Sequence, residues 1–165
     1  QVPVYLHDAV ELIGVAIAEN TVTHDVAAFS KDGSVKSSVR GLMADHLFDE
    51  GRHARFWTQL VRLYWQSASS QARDHIAQAL PVFLTHYLTN DLQKDFDLQL
   101  IEHLVISADA RLALRDEIQA LDFPITHQHP LVANIMGFLH HSGVLQTPSV
   151  ARALSDYLPV SRRLA

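Results

Sequence analysis

The stretch Asp45-His46-Leu47-Phe48-Asp49-Glu50-Gly51-Arg52-His53 carries two imidazoles and a carboxylate at the spacing i, i+4, i+7. On a helix, which turns by about 100° per residue, His46, Glu50 and His53 fall within roughly 60° of arc on one face. Imidazole and carboxylate groups are ligands for first-row transition metals. The stretch therefore predicts a helix that offers three metal ligands, and the remaining ligands must come from elsewhere.

The composition favours one globular domain without nucleic-acid or membrane partners. The chain has 165 residues, 48% hydrophobic and 19% charged, and a net charge of −5 without a basic run. No apolar stretch approaches the roughly 20 residues needed to span a bilayer, and no secretory signal is present, so a cytoplasmic location is expected. The absence of cysteine excludes disulfides and thiolate metal sites.

The hydrophobic pattern predicts an all-α domain over residues 1–165, because helical periodicity recurs and no run alternates as a strand would. The predicted helices cover Val4 to about Phe29, a segment ending near Trp65, a segment from Ser69 or Ser70, Asn90 to about Ile106, Ala108 to Leu121, Pro130 to about Gly143, and a last one from Thr147-Pro148. Several residues predict helix ends and breaks: Ser34 or Ser37 and Ser107 as N-caps, Asn90 with Gln93 as a capping box, and Pro81 as a kink or split.

Glu19 is the candidate for a fourth ligand. It lies among Ala16, Ile17 and Val22 on a mostly apolar helix, where an unpaired carboxylate would be costly. In an antiparallel hairpin, residues equidistant from the turn lie at the same height, and the midpoint between Glu19 and His46 falls within the turn signal at Asp32-Gly33. We therefore expect Glu19 opposite His46, which gives the ligand set Glu19, His46, Glu50 and His53.

Two simpler interpretations remain open at this point. One is that Glu50-x-x-His53 is a chance occurrence, since a single Glu-x-x-His occurs by chance in many helices; the other is that His46 is a hydrogen-bonded core residue. Metal binding is instead favoured by comparison with ferritin-like dimetal proteins, in which two helices each supply a Glu and two others each supply a Glu-x-x-His. Glu50-Gly51-Arg52-His53 and the lone Glu19 correspond to half of that scheme, with His46 in addition.

Glu19, followed by His46-x3-Glu50-x2-His53 within Asp-Glu-x-Arg-His, resembles the second half of the p-aminobenzoate N-oxygenase family. Leu80-Pro81, Asp122-Phe123-Pro124 and His129-Pro130 are similar in style to the later part of that family. The resemblance implies a ferritin-like helical bundle and a centre of two iron ions. It also implies that Asp49 accepts a hydrogen bond from a ligand histidine and that Arg52 pairs with carboxylates around the iron.

The function implied by the resemblance is oxidation of an amine nitrogen with O2, to a hydroxylamine or onward to a nitroso or nitro group. A small-molecule amine would be the substrate, and an external donor would supply electrons, since the chain shows no flavin or nicotinamide fingerprint. Two alternatives stay open: a ferritin-like di-iron hydroxylase or desaturase that acts on carbon, and a non-catalytic helical bundle that binds zinc or no metal.

The ligand set departs from the family in one respect, because the chain has no second Glu-x-x-His. The sequence also begins with Gln1 rather than methionine. We therefore expect these residues to form the C-terminal portion of a longer di-iron oxygenase, whose N-terminal segment or a separate chain supplies the other ligands. A homodimer that pools the ligands of two copies is the other possibility.

Overall fold

The computed structural model describes residues 2–89, 91–121, 125–129 and 131–158, apart from the side chains at 24, 25 and 91–93. Its helices are α1 (His7–Lys31), α2 (Ser37–Ser67), α3 (Ser70–Leu88), α4 (Asp91–Glu102), α5 (Ala108–Ala120), α6 (Val132–His141) and α7 (Pro148–Ala153), with short 3-10 turns at Val4–Leu6, Val144–Gln146 and Ser155–Tyr157. No strand occurs within the described ranges. The all-α prediction is confirmed, and the arrangement is consistent with a ferritin-like bundle.

The two longest helices, α1 and α2, form an antiparallel hairpin as expected. The turn between them is held by Asp32, whose carboxylate accepts hydrogen bonds from the backbone N–H and the hydroxyl of Ser34 at 2.8 and 2.7 Å. The N-cap of α2 is Lys36, which makes no side-chain cap bond. The prediction of a Ser34 or Ser37 N-cap was therefore wrong, because the hydroxyl of Ser34 is engaged by Asp32.

One end of this hairpin is closed by other helices. Residues 7–17 of α1 and 61–67 of α2, called the closed end here, pack with α3, α6 and α7 around a common core. The core takes aliphatic side chains from every one of these helices, which is how a bundle buries the apolar face of each helix. Its largest fully buried members are Ile13, Ile17, Val61, Ile76, Leu80, Leu84, Val132, Ile135, Leu139, Val144, Val150 and Leu154.

The other end of the hairpin is open. In residues 19–31 of α1 and 37–53 of α2, called the open end, the buried side chains among those described are Thr21, Val26 and Glu50. Large apolar side chains are exposed there, including Leu42 and Phe48, the latter 71% exposed. Among the described helices, α1 is the main neighbour of α2, and most side chains of this stretch of α2 are left exposed.

Helix α3 runs without interruption through Pro81, so of the predicted kink or split, the split does not occur. Proline removes one backbone hydrogen bond, but Ala77, Leu80 and Leu84 are buried on both sides of it and anchor the two turns in the core. The predicted opening at Ser69 is confirmed, since its hydroxyl accepts from the N–H of Ala72 at 3.2 Å.

The later helices follow the predicted order with shorter bounds. Ser107 caps α5 as predicted, accepting from the N–H of Ala110 at 3.2 Å. Helix α4 ends at Glu102 instead of near Ile106. The capping box at Asn90 and Gln93 and the start at Pro130 lie outside the described residues. Among the described helices, none is both long enough and apolar enough to cross a bilayer.

Candidate metal centre

Glu50 is the buried residue of the centre. Its residue surface is 7% exposed, although it lies in the otherwise exposed first half of α2. Among the described residues, its carboxylate pairs only with imidazoles: Oε1 lies 3.2 Å from His46 Nε2 and 3.7 Å from His53 Nδ1. A buried carboxylate without a lysine or arginine partner needs a compensating cation, and a metal ion is one that imidazoles can share with it.

Glu19 joins this group from α1. Its Oε2 lies 3.7 Å from His53 Nδ1, so His53 lies between the two carboxylates. Ligand atoms of Glu19, Glu50 and His53 all lie within 4.8 Å of one another. In octahedral coordination with ligand atoms about 2.1 Å from the metal ion, two neighbouring ligand atoms are about 3 Å apart and two opposite ones about 4.2 Å apart. Small side-chain rotations would therefore place these three groups around a metal ion.

The register of the hairpin differs from the expected one. Glu19 contacts His53 rather than His46, and Thr23, one turn later on α1, donates from its hydroxyl to the backbone carbonyl of Glu50 at 3.3 Å. The prediction that Glu19 lies opposite His46 was wrong because α1 continues to Lys31 and α2 begins only at Ser37. The centre of the turn is consequently displaced towards α2, which moves the partner of Glu19 along α2.

His46 lies on the same face of α2, but only Glu50 links it to the others. Its side chain is 48% exposed, so it is not a core histidine, and its Nε2 points at the carboxylate of Glu50. It lies outside the tight group of Glu19, Glu50 and His53. This position is compatible with a ligand at the outer edge of the centre.

Asp49 and Arg52 lie on the exposed side of α2. The Arg52 Nη1 is 3.9 Å from Asp49 Oδ1, and both side chains are largely exposed. A pair this exposed contributes little to stability. Their predicted roles, hydrogen bonding to a ligand histidine and pairing with the carboxylates around iron, stay predictions. Together with His53 and Phe56 they line a cavity of about 480 Å³ beside the centre.

Thr23 is the residue at this site that the sequence reasoning missed. Its hydroxyl, which has one proton to donate, lies 2.8 Å from the carbonyl of Glu19 and 3.3 Å from that of Glu50, so this side chain lies between both helices at the height of the ligands. The signal was present in the sequence, because Thr23 follows Glu19 by four residues and so lies on the same face of α1.

The family model described as p-aminobenzoate N-oxygenase AurF matches residues 1–122. The chain belongs to this family. No curated protein and no solved structure matches the chain at a significant level. The matched range contains α1 and α2 with all four candidate ligands. Helices α6 and α7 lie beyond the matched range and complete the core of this p-aminobenzoate N-oxygenase family member.

Proposed function

We propose that this protein is a non-haem di-iron oxygenase that oxidises the nitrogen of a small-molecule amine with O2. The observation that carries the proposal is the group of Glu19, Glu50 and His53 inside the segment that matches the N-oxygenase family. Two carboxylates and an imidazole, with His46 beside them, are the donor types found in ferritin-like dimetal centres.

Glu19, Glu50, His53 and His46 would hold the iron. The buried carboxylate of Glu50 offsets the charge of the metal where little water can do so, and Thr23 holds α1 and α2 in register at the ligands. A bound di-iron centre would supply the oxidising power of O2, which is chemistry of the metal rather than of the protein. Hydroxylation of an amine to a hydroxylamine then consumes O2, two electrons and two protons and releases one water, so an external electron donor is required.

The cavity of about 480 Å³ beside His53 is the place where we expect the amine to enter. Phe56 supplies an apolar wall, and Arg52 and Asp49 offer charged groups at the rim. Small-molecule sites fix the orientation of their ligands with a small number of polar groups such as these. The roles of Asp49 and Arg52 near the iron belong to this proposal.

The described residues provide about half of the ligands that a ferritin-like centre takes from four helices. Phe48 at the open end and Phe56, three residues beyond it on α2, are also exposed, at 71% and 59%, next to the ligands. We therefore propose that another segment of a longer protein, or a second copy in a homodimer, covers this face and supplies the other carboxylates and histidine. The region at 1–165 would then be the C-terminal portion of the oxygenase.

The test is an anaerobic titration of the metal-free protein with Fe(II), with the metal content and the oligomeric mass measured together. We expect about two irons per assembled protein and an absorption band that forms on exposure to O2. His53→Ala, Glu50→Gln and His46→Ala should reduce iron binding. The control variants Glu11→Gln on α1 and His86→Ala on α3, both exposed and outside the ligand group, should bind iron as the wild type does.

The outcomes separate the alternatives. A single zinc ion or no metal would show a non-catalytic bundle and contradict the proposal. Iron with O2 consumption that hydroxylates or desaturates carbon, in an assay with matched amine and hydrocarbon substrates, would favour the carbon-oxidising enzyme instead. Oxidised nitrogen in the product, detected by mass spectrometry with ¹⁸O2, supports N-oxygenation.

A further inference from the structure

A second site lies at the closed end of the hairpin, where α2 ends beside α6 and α7. A cleft of about 630 Å³ opens there between Trp65 and Arg62 of α2, Arg73 of α3 and the turn after α6. The remaining residues that line it are Gln66, His141, Ser142, Gly143, Gln146, Thr147 and Pro148, and no aspartate or glutamate is among them. The cleft therefore has two permanent positive charges and no carboxylate on its walls.

Each guanidinium is already positioned by one protein contact. The Nη2 of Arg62 donates to the carbonyl of His141 at 2.6 Å, and the Nη2 of Arg73 donates to the carbonyl of Gln66 at 3.4 Å. Arg73 also lies over the ring of Trp65, with its Cζ 5.8 Å from the centroid. Contacts of this kind hold the two groups in place before any ligand arrives, which reduces the entropy lost on binding.

Most of the hydrogen-bond donors of these arginines remain unused. A guanidinium has five N–H groups, and the hydrogen bonds found for Arg62 and Arg73 among the described residues use one on each. Neither forms an ion pair with an acidic side chain in the described part of the chain. The Nε of Arg73 is buried without a hydrogen-bond partner there.

The carbonyls that the two arginines contact belong to the last turns of α6 and α2, which carry negative partial charge. Each helix end contributes about −0.5 of an elementary charge, so the two ends together offset about one of the two positive charges. About one positive charge remains in the cleft, before any contribution from His141. Helix capping therefore accounts for part of this arrangement but leaves an excess of positive charge.

The cleft is separate from the candidate metal centre. Arg62 follows His53 by nine residues on the same helix, which places it roughly 13 Å further along the axis, and Trp65 and Arg73 lie beyond it. Arg62 and Arg73 have no part in the proposed oxygen chemistry. A site at this distance takes a different ligand.

We infer that the cleft of Arg62, Arg73 and Trp65 binds a phosphate group, either as inorganic phosphate or as the phosphate of a small organic ester. Guanidinium groups bind phosphate oxygens through pairs of parallel N–H bonds, and two of them suit a dianion better than a carboxylate with a single charge. A volume of about 630 Å³ leaves room for an organic group beside the phosphate.

Trp65 provides the signal for the test, because it lines the cleft and the chain has only one other tryptophan, Trp57. In a Trp57→Phe background, Trp65 is the sole tryptophan emitter. We expect inorganic phosphate to change its fluorescence in a saturable way, and acetate or chloride at the same ionic strength to produce no saturable change. Arg73→Gln should weaken phosphate binding about tenfold or more, since charge-assisted hydrogen bonds are lost.

Arg40→Gln, which removes an arginine from the distant end of α2, is the matched control and should bind phosphate unchanged. Because Arg62 also joins α2 to α6, we test that position with the conservative variant Arg62→Lys and verify its fold by circular dichroism. We expect Arg62→Lys to bind phosphate more weakly than the wild type. No saturable response in the Trp57→Phe protein overturns the inference. Equal binding of acetate, or unchanged binding in Arg73→Gln, overturns it as well. Phosphate and a sugar phosphate compared side by side show which form binds more tightly.

Discussion

The two ends of the α1–α2 hairpin are built from the same pair of helices and differ in what covers them. At the closed end, Ile13, Ile17 and Val61 are fully buried under α3, α6 and α7. At the open end, the buried members of the described part are Thr21, Val26 and Glu50, and Leu42 and Phe48 face solvent. The difference indicates that the two ends have different roles: the closed end supplies the stability of the fold, and the open end carries the candidate metal ligands.

The largest expected effect tests the closed end. Ile13→Ala removes a fully buried side chain and leaves a cavity, so we expect the free energy of unfolding to fall by about 2–5 kcal/mol. Leu42→Ala, the matched change at the open end, removes an exposed side chain and should cost less than about 0.5 kcal/mol. Urea denaturation of the two variants measures both values. Equal losses would show that the two ends are not distinct.

The second prediction concerns the stability that the metal-free protein loses by burying a ligand carboxylate. Glu50→Leu replaces a buried carboxylate by an apolar side chain of similar size, so we expect the metal-free protein to gain about 1 kcal/mol of stability while iron binding is lost. Denaturation without metal, followed by a Fe(II) titration, measures the two effects. A loss of stability in the metal-free variant would mean that Glu50 is a structural residue, held by His46 and His53 without metal.

A smaller, pH-dependent effect is expected at His129, which is buried and accepts a hydrogen bond from the N–H of Leu131. Burial lowers the pKa of His129, while a hydrogen bond with the backbone of Leu88 acts in the opposite direction. Above about pH 6.5, the histidine is mainly neutral in both the folded and the unfolded chain, and it adds no pH dependence. Below that pH, the unfolded chain binds the proton more readily, so stability falls as the pH falls.

His129→Gln removes this contribution. We expect the difference in unfolding free energy between the wild type and the variant to shrink between about pH 8 and pH 5, because only the wild type loses the stability that His129 confers. Urea denaturation across that range is the measurement. His140→Gln, on the exposed face of α6, controls for the loss of an imidazole in general. A constant difference across the range would contradict the assignment.

The smallest effect is expected at the turn of the open end. The hydrogen bonds from the hydroxyl and the N–H of Ser34 lower the pKa of Asp32, so their contribution is present above the ordinary pKa of an aspartate and is lost as the pH falls. Because Asp32 is fully exposed, Asp32→Ala should lower the melting temperature only slightly at neutral pH and not at all in strong acid. Thermal scans at the two pH values check this. A large loss would mean that the turn contributes to the stability of the whole hairpin.

Much of the fold and the types of candidate ligand were predictable from the sequence. The order of the helices follows from local signals such as the caps at Ser69 and Ser107, which depend on neighbouring residues only. The face of α2 that carries His46, Glu50 and His53 follows from helical periodicity, and those residues do come together. The family was likewise identifiable from these motifs and is shown by the match over residues 1–122.

The register between α1 and α2 could not be read from the sequence. It depends on where each helix ends at the turn, and such ends shift by one or two residues at little energetic cost. A change at the turn moves every facing pair, which is why Glu19 lies beside His53 and not His46. That α3 continues through Pro81 could not be read from the sequence either, since packing on both sides of the proline outweighs the missing hydrogen bond.

The sequence by itself determined which residue types lie on which face of each helix, because a helix places side chains by a fixed angle per residue. Only the tertiary structure decided which faces meet, since long-range packing sets the helix ends, the register and the burial of Glu50. It also brought Arg62 and Arg73 from two helices to one cleft. No local pattern marks that cleft, because its residues meet only when α2, α3 and α6 pack together.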